Sequence, residues 1–488
     1  MPHLCSPLDI RTHSRERSMY KKWLITASLL SLSACASVTT TGALTPPIGQ
    51  QAPTQWQSQN SAGNTLAVDW LAEFHDTRLT ALVGEALRNN HNLLASAERI
   101  VQAQALAVSR ASSRLPSVDF STQGTRNFIQ NVPDTESYGA TLSVSWEVDL
   151  WGRIADRARA GYADAHAAEA DLEAARLSIA GQTTQAWFDL IEGGQQVALA
   201  KDDLKSRQRS SRLVERRYRS GVSSSLDVRL ARSARAGSEA NLALREQLLA
   251  NATRRLELLL GRYPSKSIKA AQTLPVLLPV TGVGTPADVL VRRPDIIAAE
   301  ARLSAAGLRA TEARKALLPR LSFSPTASTG GTRVSDIFDL NTLVGRLLGN
   351  IAQPVFRGGA LKAEVKRTRA VQREQIEVYA NLVLRAWREA EDALDGETFL
   401  AQREAALDVS ATEAREAETL AIREYGRGVG TIFELLDAQR RRINAESQFI
   451  AASKERAANR VRLHLAIAGK FKTQAVKTAA NVNEDTSL

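Results

Sequence analysis

Cysteine is nearly missing from this chain: its 488 residues hold only Cys5 and Cys35. No disulfide framework can be drawn, so a small cross-linked secreted domain is excluded. Aromatic residues make up 5% of the chain against 44% hydrophobic residues. That balance, rich in Ala, Leu, Arg and Glu, suits long helices better than a thick globular core. Beyond the N-terminal segment no run of eighteen or more apolar residues occurs, which excludes a bundle of membrane-crossing helices. Proline is absent between Pro133 and Pro264 and again after Pro354. Nothing there breaks a helix from within. His75, His91, His166 and His464 are isolated, with no metal-ligand spacing to a cysteine or a second histidine. Gly193-Gly194 and Gly330-Gly331 lack the companions of a phosphate-cradling loop. Neither an enzyme nor a bound cofactor or metal is indicated.

The N-terminus is informative. Lys21 and Lys22 precede a mostly apolar run from Trp23 to Leu32, the length of a signal peptide. Leu32-Ser33-Ala34-Cys35 follows, a bacterial lipoprotein cleavage box. Its small residues fit a narrow peptidase pocket, and the Cys35 thiol can take a diacylglycerol. Met19 reads as the start, with 1–18 an upstream extension and 1–34 removed. Ala36, rather than Asp, is consistent with transport to the outer membrane. The chain carries a formal charge of +11, and five basic and two acidic residues fall in 1–34, so +8 remains from Cys35 onward. That excess is spread over helices also rich in Glu and Asp, with no basic patch interleaved with aromatics. Nucleic acid is therefore not an expected partner.

Residues 35–66, rich in Ser, Thr, Gln, Pro and Gly, read as a lipid-anchored tether. From Trp70 the pattern is helical, with Leu79, Leu82, Val83, Ala86 and Leu87 recurring at three and four. A helix over 92–114 ends before Pro116. Then the period changes to two. Leu142, Val144, Trp146, Val148 and Leu150 alternate with Thr141, Ser143, Ser145, Glu147 and Asp149. A strand over 138–150 and a weaker partner beginning at Val118 are predicted, joined through Asn131, Pro133 and Asp134. Their apolar and polar faces follow the pattern of a porin-type strand. Long helices are predicted over 153–217, about 95 Å at 1.5 Å per residue, and over 226–260, with a break at Ser220-Gly221. Residues 263–286, with four prolines and two glycines, form a crossover linker.

The order then repeats. A helix opens at Arg293-Pro294-Asp295 and ends at Leu318-Pro319; strands begin at Leu321 and Leu343; long helices fill 360–422 and 431–468 around Tyr425-Gly426-Arg427-Gly428. Leu115-Pro116 matches Leu318-Pro319, and Tyr218-Arg219-Ser220-Gly221-Val222 matches Tyr425-Gly426-Arg427-Gly428-Val429. This is an internal duplication of about 205 residues, one repeat over 67–262 and the other over 287–469, with 470–488 a C-terminal tail. Four strands cannot close a barrel, and open edges cannot sit in lipid. Three chains supply twelve strands and twelve long helices. The expected fold class is thus mainly α with a membrane β-barrel: a trimeric 12-stranded β-barrel continuous with a 12-helix periplasmic α-barrel. Trp146, Trp151 and Phe356 fall toward the strand-to-helix junctions, where an interfacial aromatic belt would sit.

Three stretches resemble the TolC-like outer membrane efflux proteins, in the lipoprotein branch that serves resistance–nodulation–division pumps: Trp146-Glu147-Val148-Asp149-Leu150-Trp151-Gly152-Arg153, Val291-Arg292-Arg293-Pro294-Asp295-Ile296, and Glu434-Leu435-Leu436-Asp437-Ala438-Gln439. The resemblance implies a homotrimeric exit duct in the outer membrane lipid, working with a periplasmic adaptor and an inner-membrane pump. It also implies that Gly221, Val222, Ser223, Gly428, Val429 and Gly430 are the periplasmic tips that meet the adaptor. Glu434 and Asp437 match the family's aperture carboxylates, and Tyr425 with Asp227 match its latch. A latch arginine of one member falls on Gly430 here, so that contact is missing. The competing reading, a periplasmic adaptor or helical-hairpin scaffold lipoprotein, would lack the duplicated membrane-length strands. Mass spectrometry of the purified N-terminus should find a lipidated Cys35 as its first residue; an unmodified chain starting elsewhere would refute the cleavage box.

Overall fold

Each proline-free stretch folds as a pair of antiparallel helices. The computed structural model describes residues 53–58, 69–280 and 282–471, all within one compact unit that begins at Gly49. Cys35 and most of the tether and tail lie outside the described residues. Helices α1 (Thr77–Asn89) and α2 (His91–Ser112) lead to strands β1 (Ser117–Ile129) and β2 (Val132–Val148). The long pair α3 (Arg153–Arg219) and α4 (Ser225–Leu259) follows. The second repeat contains α5 (Pro286–Arg292), α6 (Pro294–Lys315), β3 (Arg320–Gly331), β4 (Val344–Ala352), α7 (Ala360–Arg427) and α8 (Ile432–Ala466). At 67 and 68 residues, α3 and α7 each run about 100 Å. Both start after a left-handed glycine, Gly152 at φ 71° and Gly359 at φ 84°. Helix α5 was not anticipated. Thr285 and Asp288 form its capping box and Pro286 sits in its first turn, which ends the crossover linker one residue early.

The four strands form one antiparallel sheet in the order β1-β2-β3-β4, at the end of α3 and α7 opposite their turns. The first hairpin is tighter than expected. Ile129 pairs with Val132 around Gln130-Asn131, and Asn131 takes φ 67°, a conformation Asn tolerates. Pro133 and Asp134 therefore belong to β2, not to the connection. The register slips between Asn127 and Ile129, so the strand absorbs a proline that cannot donate to the ladder as a bulge. β2 also stops at Val148, and β4 stops at Ala352, before Pro354. Both β1 and β4 are free edges within the chain.

Small residues let the helices approach. Gly161 of α3 lies against α2 so closely that a Cβ would meet the Ala107 Cα at 3.2 Å. The main apolar core is a belt at mid-length. Trp70, Phe74, Leu79 and Val83 pack on Trp187, Phe188 and Ile191 of α3, with Leu256 and Val461. Asp76 caps α1 and accepts a 2.7 Å hydrogen bond from the Trp187 indole. Buried charges in the belt are paired. Arg460 binds Glu73 and Glu397, and His464, stacked on Trp70, lies 2.7 Å from Glu73. Trp56, ahead of α1, is also buried and donates to the Gly284 carbonyl.

The turn after α4 depends on Gly261, at φ 70°, where a Cβ would sit 2.5 Å from the Asn89 carbonyl oxygen. Gly261→Ala should cost about 1–3 kcal/mol. Gly84→Ala, inside α1 with only the end of Arg88 nearby, should be neutral or stabilising by about 0.5–1 kcal/mol. Thermal melts followed by circular dichroism compare the two.

Candidate functional site at the helical turns

Two pseudo-equivalent turns lie together at the far end of the long helices. At the first, Gly221 takes φ 75°, its N–H donates to the Tyr218 carbonyl, and the Val222 N–H donates to that of Arg217. At the second, Gly428 takes φ 87°, and Val429 and Gly430 both donate to the Glu424 carbonyl. These left-handed glycines close the last helical turns. Val222 and Val429 are left exposed. A Cβ on Gly430 would lie 3.1 Å from the Tyr425 nitrogen. Glycine there allows close backbone approach.

The returning helices open with matching capping boxes. Ser224 and Asp227 cap α4; Thr431 and Glu434 cap α8. Asp227 and Glu434 are thus the same position of the repeat. Glu434 is exposed and accepts from the Thr431 backbone N–H at 2.7 Å and from its hydroxyl at 2.9 Å. Those bonds hold its carboxyl below the usual glutamate range. Asp437, one turn on, is ion-paired with both Arg440 and Arg441. Hydrogen bonds from these two guanidinium groups lower its pKa. The two carboxylates share the helix face that their spacing implies, but two arginines offset their charge. The pairing was legible at i+3 and i+4.

Asp227 and Tyr425 do not touch directly. Ser223 stands between them, 2.6 Å from Asp227 Oδ2 and 3.4 Å from the Tyr425 hydroxyl. Ser223 has one proton to give and gives it to the carboxylate, so at the longer contact Tyr425 is the donor. Asp227 also accepts from the Ser224 N–H at 3.0 Å. The Ser223 bond, followed by those from Ser224 and the charge of Arg217, outweighs the opposing effect of burial and lowers the Asp227 pKa. Arg217 crosses from the first hairpin to the second, donating to the Tyr425 carbonyl at 3.0 Å with its guanidinium 5.0 Å from the ring centre. Below this clasp, Val214, Val228, Ala231, Tyr425, Ile432 and Leu435 form a small apolar cluster. Gln439, fully buried, then donates to Ser206 and Ser210, and buried Arg442 pairs with Glu418. No periodicity in the sequence marks Arg217 or Ser206, because their partners lie more than two hundred residues away.

The other quoted stretches serve junctions. Asp149 accepts from the Ile154 and Ala155 N–H groups, Arg153 pairs with Glu147 at 2.8 Å, and the Trp151 indole donates to the Pro319 carbonyl. Arg293 binds Asp295 and Glu389, each at 2.7 Å. At the turns the arrangement is thus a clasp between the two hairpins, set between two capped turns.

Known proteins share the fold that carries these turns. The profile of the family described as Outer membrane efflux protein matches residues 82–262 and 285–469, the two repeats. Over 436 residues the chain is 31% identical to the pyoverdine export outer membrane protein OpmQ of Pseudomonas putida, covering 86% of this chain and 91% of that protein. It is 28% identical to the probable outer membrane lipoprotein SilC of Salmonella typhimurium, over 92% of this chain and 99% of that one. Among solved structures, the outer-membrane channel OprN superposes with a TM-score of 0.77 at 26% identity, covering 86% of this chain and 98% of that one.

Because its pKa is lowered in the folded state, Asp227 contributes stability that is complete above its unfolded pKa, about 3.9, and is lost as pH falls through the lower folded value. Amide-exchange protection at residues 221–228 should hold from about pH 7 to about pH 5 and fall only in the acid range below about 4. Asp227→Asn should abolish that acid step; an unchanged step would assign it to another group.

Proposed function

The chain belongs to the outer membrane efflux protein family, and on that premise we propose that three copies form a passive exit duct closed at its periplasmic end by the clasp at the turns. As a member it is the outer membrane channel component of an efflux system, with a TolC-like fold. The observation that carries the trimer is the open sheet. β1 and β4 present unpaired backbone along edges bearing exposed Phe120, Phe128, Leu347 and Ile351. In lipid each unpaired group costs several kcal/mol, and three four-stranded sheets joined edge to edge leave none. The same symmetry gathers twelve long helices below. The lone chain's exposed apolar side chains on α2, α4 and α7, among them Val101, Leu244 and Leu420, would then be covered by neighbours.

In this reading Gly221, Val222, Ser223, Gly428, Val429 and Gly430 meet a periplasmic adaptor, and a resistance–nodulation–division pump lies beyond it. Exposed Val222 and Val429 offer the apolar contact. Ser223 has a second task, since its hydroxyl links Asp227 to Tyr425. Cys35 supplies a lipid anchor, which the likeness to a probable lipoprotein supports. Glu434 and Asp437 line the narrowest point, each tripled by symmetry and shadowed by Arg440 and Arg441.

Heat-sensitive trimer migration from outer-membrane fractions, with conductance in planar bilayers, tests the duct; a monomer or a silent bilayer would overturn it. Ser223→Ala and Tyr425→Phe should raise conductance by loosening the clasp. Glu434→Gln with Asp437→Asn would leave the two arginines uncompensated. Selectivity should then shift toward anions; unchanged selectivity would remove these residues from the aperture.

A further inference from the structure

The outer face of α3 changes character below the belt. At Trp187 it is covered by the N-terminal end of α1, and at Gly194 and Gln195 by the crossover linker. There a Cβ on Gly194 would lie 3.2 Å from Ala270, and Gln195 donates to the Gln272 carbonyl. In a duct such a layer must lie outside, because inside it would fill the lumen. Continuing down that face by threes and fours from Ile191, through Ala198 and Lys201, leads to Lys205, Arg209, Arg212, Arg216 and Arg219. All five are exposed. None has a hydrogen-bonded or ion-paired side-chain partner among the described residues. They span 15 residues, about 21 Å of helix. Beside them runs a groove of about 460 Å³, where Leu213 and Ile422 lie among Ser206, Ser210 and the arginines.

The duplication supplies a control. The matching positions of α7 are Thr412, Glu416, Thr419, Arg423 and Gly426. Helix α7 is one residue longer and also ends at a left-handed glycine, so neither folding nor the turn requires the ladder. Unpaired guanidinium groups at helical spacing, beside a groove in which Leu213 and Ile422 are the apolar members, match a helix with a narrow apolar seam flanked by carboxylates every three or four residues. We propose that the outer face of α3 from Lys205 to Arg219 docks an acidic helix of the periplasmic adaptor. The basic repeat of each copy then takes a different contact from the α7 repeat. This inference rests on the duct reading, which places that face outside.

A photo-crosslinking phenylalanine derivative at position 212, 419 or 222 of the full-length protein, in cells carrying its pump components, tests it. Mass spectrometry maps the crosslinked peptide. Position 212 should capture an adaptor helix rich in Glu and Asp, position 419 should not, and Arg209→Glu with Arg216→Glu should remove the product. The triple variant Arg209→Glu, Arg212→Glu, Arg216→Glu should lower export about tenfold while the trimer still migrates normally; the corresponding triple Lys variant should retain export. Capture of the adaptor at 222 but not 212 overturns this inference and leaves the duct intact. Products at 212 that map to a second copy or to lipopolysaccharide, or that survive charge reversal, also overturn it. No adaptor product at either position overturns the duct reading as well.

Discussion

Backbone hydrogen bonds left open along β1 and β4 are the constraint on which the rest of this molecule depends. A sheet of four strands with apolar side chains on its exposed edges is stable in lipid only when every edge is paired. That requirement calls for further copies of the chain, and their closure into a ring sets how the helices below must pack. Each long helix has neighbours on its flanks and solvent on at least one other side, so apolar stripes stay narrow. Alanine and glycine do much of the close packing, as at Gly161 against Ala107. A Cβ on Gly181 would lie 2.6 Å from Leu465.

A tube packed this thinly has little apolar volume, and the large side chains are concentrated in one belt. Trp70, Phe74, Trp187 and Phe188 sit there with Arg460, Glu73 and Glu397. Buried ion pairs contribute modestly to net stability, since desolvation offsets much of their attraction. Their specificity is the larger effect. Arg460 of α8 reaches Glu73 near the N-terminus and Glu397 of α7, so the belt joins three distant parts of the chain in one register. Arg442 with Glu418 and Gln439 with Ser206 repeat the device nearer the turns. Both layers use polar partners where a wide apolar seam is lacking.

The turn end combines a clasp with two kinds of surface. Ser223, Asp227, Tyr425 and Arg217 tie one hairpin to the other through a few hydrogen bonds, which partner binding could exchange at small cost. The exposed valines and the exposed basic ladder of α3 lie beside it. Duplication built both halves on one plan, and charge has since diverged at matched positions, Arg209 against Glu416 and Arg212 against Thr419.

Much was legible in the residues alone. Helix positions followed from proline and glycine: Pro116, Pro264, Pro319 and Pro354 bound the elements, and Gly221 and Gly428 mark the turns. Period two over 138–150 identified β2, which ends two residues sooner at Val148, and the matched Tyr218 and Tyr425 segments exposed the duplication. The capping boxes at Ser224 and Thr431 and the Asp437–Arg440–Arg441 group lie within four residues, inside the reach of local rules. The Pro133 bulge was missed because pairing across the sheet decides between competing turn patterns there; α5 was missed although Thr285, Pro286 and Asp288 are local signals of a helix start. The tertiary structure alone decided that Ser223 mediates between Asp227 and Tyr425, that Arg217 crosses to the second hairpin, and which face of α3 lies bare below Gln195. Those partners are brought together by the packing of 100 Å helices, and no spacing along the chain encodes a contact made across two hundred residues.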